Sequence, residues 1–327
     1  MIQKAKVYFR EIPFFEILNS TFDFGYSLNT LTRESLLFHK ERDIDFPNYI
    51  NYINEPINAL HFEREAGLLK FGDSNTVRIT SFSKEENGLK VGYIPSKYSV
   101  YKGFAKLKGL SEADAGFING IVGDRILANH CGAGIFINCR RGGIGKDAND
   151  RVLIGMRPNS EVIDTHRLFR TYSASGSSDL EDLSPFETIK REAEEEINFS
   201  LDIDKTELIS FGYDSQLGYF QFSFYHQSEK EFGEIAGKAK YARDVFEYNS
   251  LDLITYSEKK LERAIEEIAE TPWEPSALYS LILLYSRLIL NDCRDIREYE
   301  ERFANFRKDL EEEIIKKNDE NHFKIFV

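Results

Sequence analysis

The chain of 327 residues carries 55 Asp and Glu against 42 Lys and Arg, a net charge of −13, with 42% hydrophobic residues. So acidic a surface opposes non-specific binding to long nucleic acids or anionic membranes. The most apolar stretch, residues 277–290, is broken by Ser280, Ser286 and Arg287, so no segment reads as a membrane span.

The length exceeds that of a usual single core, which predicts two domains or one domain with a large extension. Twenty-six Phe and seventeen Tyr against two Met predict rigid aromatic cores. Cys131, Cys139 and Cys293 are scattered, with no Cys-x-x-Cys and no His at metal-ligand spacing, and read as reduced thiols. Residues 1–11 lack a continuous apolar run of the kind a secretory leader needs. These features predict a soluble, cytoplasmic protein.

In chain order, residues 33–39 and 50–69 show partly helical patterns. Residues 77–82 alternate, Asn87-Gly88 is a hairpin turn signal, and residues 89–94 return, predicting a β-hairpin. Tyr93, Tyr98 and Tyr101 cluster after it, for packing or as a stacking surface for a base or sugar. Residues 1–125 therefore read as an N-terminal α+β region. From Gly134 the pattern changes to short apolar strands at 135–137 and 152–156 around a Gly- and Asp-rich loop. Gly142-Gly143-Ile144-Gly145-Lys146-Asp147 superficially suggests a phosphate loop, but Arg140 replaces its first glycine, Asp147 replaces Ser or Thr, and a strand follows instead of a helix. It is read as a hairpin turn. His130 and His166 lack ligand-spaced partners and are read as structural.

Ser184-Pro185-Phe186-Glu187 has the form of a capping box with proline at the first helical position. Behind it, Phe186, Ile189, Ala193 and Ile197 form one apolar stripe, while Glu192, Glu195 and Glu196 fall roughly 110° away on an adjacent side. Asn198 suits a left-handed helix end. Three carboxylates at i, i+3 and i+4 repel one another by a few tenths of a kcal/mol per pair, so a balancing cation is expected over them. Mg²⁺, which prefers carboxylate oxygens and bridges to phosphates, fits that role. Strands follow at 208–211 and 219–225, with a last strand within 245–256. A helical C-terminal part is read over 252–270, then a buried helix at 275–290. Ile296, Tyr299, Phe303, Phe306 and Leu310 form a short heptad-like seam, for docking on the body or for pairing two subunits.

Arg191, Glu192, Ala193, Glu195 and Glu196 resemble the R-E-U-x-E-E core of the Nudix hydrolase box. The strand order around them resembles that family's α/β/α sandwich with a mixed sheet. The first half of the box departs: its Gly falls on Ser177 beside Gly176, its first Glu on Leu183, and its closing pair on Asn198 and Phe199. A one-residue shift puts Asp182 in place of that first carboxylate. The resemblance implies a Nudix-like domain over residues 126–291 and a C-terminal helical extension over 292–327. It implies a Mg²⁺- or Mn²⁺-dependent pyrophosphohydrolase acting on a nucleoside diphosphate linked to another group, or on a nucleoside triphosphate. Glu192, Glu195 and Glu196 would hold metal, Glu192 and Glu195 would take part in catalysis, and Arg191 would orient the carboxylates. Arg157 and Gly176 would bind substrate. One of Glu231, Glu234, Asp244 and Glu247 would join the site from a later loop. The alternative is a catalytically weak Nudix-fold nucleotide sensor or interaction module. The partners implied are a small phosphorylated nucleotide and a homodimer mate, with no long nucleic acid and no membrane.

Overall fold

A computed structural model describes residues 14–19, 32–41, 57–62, 65–66, 73–85, 88–102, 129–159, 169–214 and 219–321. His166 lies outside these residues, as do Asn87 and much of 50–69, of which residues 57–62 and 65 are helical.

The ten described strands belong to one mixed sheet. They are β1 (Phe14–Asn19), β2 (Leu36–Lys40), β3 (Asn75–Glu85), β4 (Gly88–Lys97), β5 (His130–Arg140), β6 (Arg151–Pro158), β7 (Ala174–Ser177), β8 (Thr206–Asp214), β9 (Tyr219–Glu231) and β10 (Tyr248–Thr255). The main path runs β1-β8-β9-β5-β3-β4-β2, with β7 and β6 also on β5 and β10 on β6. Strands from the N-terminal region thus enter the same sheet as the rest, β1 through β8 and β3 through the Arg78–His130 bridge to β5.

β5 organises the molecule. Parallel β9 follows it from His130 to Arg140, while its other edge is divided between antiparallel β7 at Gly132–Ile135 and antiparallel β6 at Ile137–Arg140. Where the two neighbours part, Ser173 fills the gap. Its hydroxyl accepts from the Ile137 N–H at 2.8 Å and donates to the Ile154 carbonyl, and its own N–H donates to the Ile135 carbonyl. This side chain is fully buried, so no water could serve those backbone groups.

Alternation along β5 sends Ile135 and Ile137 to one core and Phe136 to another. The first core lies under helix α1 (Pro185–Ile197), whose predicted stripe of Phe186, Ile189, Ala193 and Ile197 is completely buried. Phe186 meets Phe224 of β9 edge-on at 4.7 Å. Burial of the large apolar side chains of this stripe stabilises the packing by roughly 1.5–3 kcal/mol each. The second core is covered by α3 (Leu261–Ala269), α4 (Pro275–Asp292) and α5 (Ile296–Asn321), while the short α2 (Phe232–Ala239) packs near α1.

Several expectations change. Residues 33–39 form a single 3-10 turn and then β2, parallel to β4, because Leu36 and Phe38 alternate inward and Phe38 stacks on Tyr93 at 4.4 Å. Residues 252–255 continue β10 on β6, and the helix starts only at Leu261. The Ser184 hydroxyl makes no capping bond and Glu187 pairs with Arg33 instead, so the α1 entry rests on Pro185 and the extended backbone of Ser184. Asn198 does adopt φ 51°, ψ 42° and closes the helix. Arg141–Asp150 is a turn between β5 and β6, with Gly142, Gly143 and Gly145 at positive φ. The seam of α5 docks within the chain: Tyr299, Phe306 and Leu310 are buried against α3 and α4, with Phe306 stacked on Tyr285 at 5.3 Å. No helix among the described residues is long and apolar enough to cross a membrane.

Candidate functional site

The packing of α1 beneath β5 and β7 places its acidic side along the β7 backbone. Glu196, 4% exposed, accepts the Ser175 N–H at 2.8 Å. One residue on, a Cβ at Gly176 would stand 2.2 Å from Glu192 Oε1, so only glycine lets that carboxylate lie against the strand. Gly176 thus acts as the floor under a carboxylate.

Arg191 ties the cluster together. Its guanidinium donates to Asp182 at 3.0 and 3.3 Å, to Glu192 at 2.7 Å, to Glu195 at 3.2 Å and to the Ser177 carbonyl at 3.0 Å. Burial works against its charge, but the Asp182 hydrogen bonds and the Glu192 field more than offset this and raise its pKa. Asp182 is buried while Leu183 is 75% exposed. The acid that holds Arg191 is therefore Asp182, and Leu183 beside it takes no part.

Of the four later acids, Asp244 and Glu247 approach α1. The Asp244 N–H donates to the Glu195 carbonyl at 2.8 Å, and Glu247 follows in a 3-10 turn in contact with the helix. Glu234 pairs with Lys238 on α2, and Glu231 lies beside Gly142. Arg243, which the sequence did not single out, reaches Glu195 at 2.7 Å and Asp244 at 3.1 Å. Arg157 is held by Asp252 at 2.6 Å, an acid it shares with buried Arg170 at 2.8 Å.

Six carboxylates, Asp182, Glu192, Glu195, Glu196, Asp244 and Glu247, thus stand against the guanidiniums of Arg191 and Arg243. Burial pushes Glu192 up to about 7, with Arg191 opposing and Glu195 and Glu247 adding to the rise. Burial also raises Glu196, reinforced by Glu192 and Glu247, and raises Glu247, reinforced by Asp244 and Glu195. Oxygens that resist ionisation through burial, and further through one another, suit a hard divalent cation in type and charge. As the side chains stand, however, no group of three His, Cys, Asp or Glu among the described residues converges as a metal centre. Glu192 and Glu195 are instead drawn to the two arginines.

Ser175, Gly176 and Ser177 of β7 also line a cleft of about 210 Å³, together with Tyr98, Tyr101 and His130. Tyr101 stacks on His130 at 4.4 Å, and His130 Nε2 meets Ser177 Oγ at 2.8 Å. Burial lowers the His130 pKa to about 3, which keeps the ring neutral. None of the lining residues is Lys or Arg. Of the three clustered tyrosines, Tyr93 packs in the core, whereas Tyr98 and Tyr101 face this cleft.

No protein-family model matches the chain, and no curated protein matches it. Among solved structures it is similar to the NUDIX domain of Shewanella oneidensis NrtR complexed with ADP ribose, at 10% identity and a TM-score of 0.36, covering 55% of this chain and 99% of that one. It is also similar to a MutT/Nudix family protein from Listeria innocua, at 16% identity and TM-score 0.34, over 49% of this chain and 94% of the other. A MutT/Nudix family protein from Enterococcus faecalis matches at 12% identity and TM-score 0.29, over 65% and 92%.

Proposed function

We propose that the chain hydrolyses a phosphoanhydride in a small nucleotide-type ligand with the help of Mg²⁺ or Mn²⁺. The observation that carries this reading is the set of buried, mutually repelling carboxylates on α1, packed against β7, whose residues Ser175, Gly176 and Ser177 also line an aromatic-walled cleft. Glu192, Glu195 and Glu196 are the residues to hold the metal, with Glu247 the nearest later acid. When bound, such a cation would neutralise the phosphoryl oxygens and lower the pKa of an attacking water.

Arg191 keeps Glu192 and Glu195 aligned through charge-assisted hydrogen bonds, fixing their oxygens before a ligand arrives. The cleft lacks a lysine or arginine, which suits the uncharged end of the ligand, a base or sugar stacked beside Tyr98 and Tyr101. The phosphates then lie toward the carboxylates. In the reaction, water oxygen forms a bond to phosphorus, the bond to the bridging oxygen breaks, and a carboxylate not engaged by metal takes the water proton.

Release of phosphorylated products from a panel of nucleotides in Mg²⁺, abolished by Glu195→Gln, is the test. A second reading, a nucleotide sensor without turnover, is favoured by the engagement of Glu195 with two arginines. Ligand binding with no product release would select it, and neither binding nor release would remove both.

A further inference from the structure

We propose that Arg243 is a built-in counter-ion that occupies Glu195 in the free protein and must be displaced by the divalent cation. This rests on the reading that the α1 carboxylates take such a cation. Glu195 Oε2 carries both guanidiniums, Arg191 at 3.2 Å and Arg243 at 2.7 Å. An oxygen so shared is already committed to two cations, so a divalent ion that takes it must compete with them.

The two arginines are not equivalent. Arg191 is fixed by Asp182, Glu192 and the Ser177 carbonyl, and its side chain is 31% exposed. Arg243 is 68% exposed and, among the described residues, holds to the carboxylates of Glu195 and Asp244. Its loop is anchored separately, through the Asp244 N–H on the Glu195 carbonyl. Arg243 can therefore swing into solvent by side-chain rotation alone, leaving the loop and Glu247 in place. Arg191 cannot leave without stripping Asp182, a buried acid, of its charged partner. One guanidinium is thus part of the frame and the other is removable.

An exposed ion pair shifts an equilibrium by about two- to fivefold, which sets the expected size of the competition. The experiment is titration of Mn²⁺ into the nucleotide-free full chain, wild type beside Arg243→Ala and Lys190→Ala, read by electron paramagnetic resonance of free Mn²⁺. Lys190 is a cation on the same helix that pairs with Glu187 and measures the general effect of removing a positive charge. Matching thermal melts establish that each variant is folded. The proposal expects Arg243→Ala to bind Mn²⁺ about two- to fivefold more tightly, with a clearly smaller gain for Lys190→Ala. Equal affinity in wild type and Arg243→Ala, weaker binding in Arg243→Ala, or an equal gain in Lys190→Ala overturns it while leaving the metal reading intact. No Mn²⁺ binding in any of the three overturns both.

Discussion

Gly176→Ala separates a functional cost from a folding cost. Position 176 has ordinary strand backbone, so alanine introduces no dihedral strain, and its smaller unfolded-state entropy favours folding by about 0.4–1 kcal/mol. Against this, the new methyl would sit 2.2–2.6 Å from the Glu192 carboxylate, which must withdraw. Glu192 is not free to do so cheaply, because it is only 12% exposed and bonded to Arg191 at 2.7 Å. Loss of that charge-assisted bond costs roughly 1.5–3 kcal/mol, leaving a net destabilisation of about 1–2 kcal/mol. For a chain of this size that lowers Tm by roughly 1.5–3 °C. On the proposed reading of Glu192 as a metal-holding residue, turnover should fall by more than tenfold, because its oxygen would move by more than an ångström. Differential scanning calorimetry and product release on the same preparation provide both numbers. Unchanged melting and unchanged turnover would refute the placement of Glu192 against β7.

Three further outcomes follow from the same contacts. Asp182→Asn should destabilise the protein by about 1–3 kcal/mol, since it weakens a buried acid's pairing with Arg191, whereas Leu183→Ala should stay within about 0.5 kcal/mol; urea melts of the two variants test which residue fills the place of the box's first acid. Ser173→Ala should cost about 2–4 kcal/mol, because it leaves both the Ile137 N–H and the Ile154 carbonyl without a partner where water cannot reach, and a loss below 0.5 kcal/mol would show that the sheet closes without that hydroxyl. The Glu192 pKa is raised from its ordinary 4.5 to about 7, so its contribution is fully present below about pH 4.5 and is lost as pH climbs toward 7. Melting in chelator across that range should therefore show a decline that flattens in Glu192→Gln, and a decline of equal steepness in both would speak against the raised value.

Helix α1 was the most legible part of the chain, because proline entry, a period of 3.6 and a terminal Asn are local signals, and each is seen there. The hairpin and the turn at 141–150 were legible for the same reason. Arg33 to His39 was misread because a five-residue strand and a short helical run share the same apolar count, and only pairing with β4 decides between them. The capping box failed because Glu187 found a partner in Arg33, far off in sequence. At the candidate site, Arg191 and the three glutamates were singled out through spacing. Arg243 was not, since nothing local distinguishes it from any other exposed arginine, and Asp182 became distinct from Leu183 only through its burial. Asp244 and Glu247 needed the tertiary fold to separate them from Glu231 and Glu234.

The hydroxyl at position 173 has a further bearing on redesign. Because one strand is flanked successively by two shorter ones, the width of the opening between them is governed at their junction by a single small polar group. Engineering for bulkier ligands is therefore best directed at Tyr98, which lines the cleft away from that junction. Changes at the junction would move the ledge carrying Ser175 and Gly176, and with it the alignment of every acid that leans on that ledge.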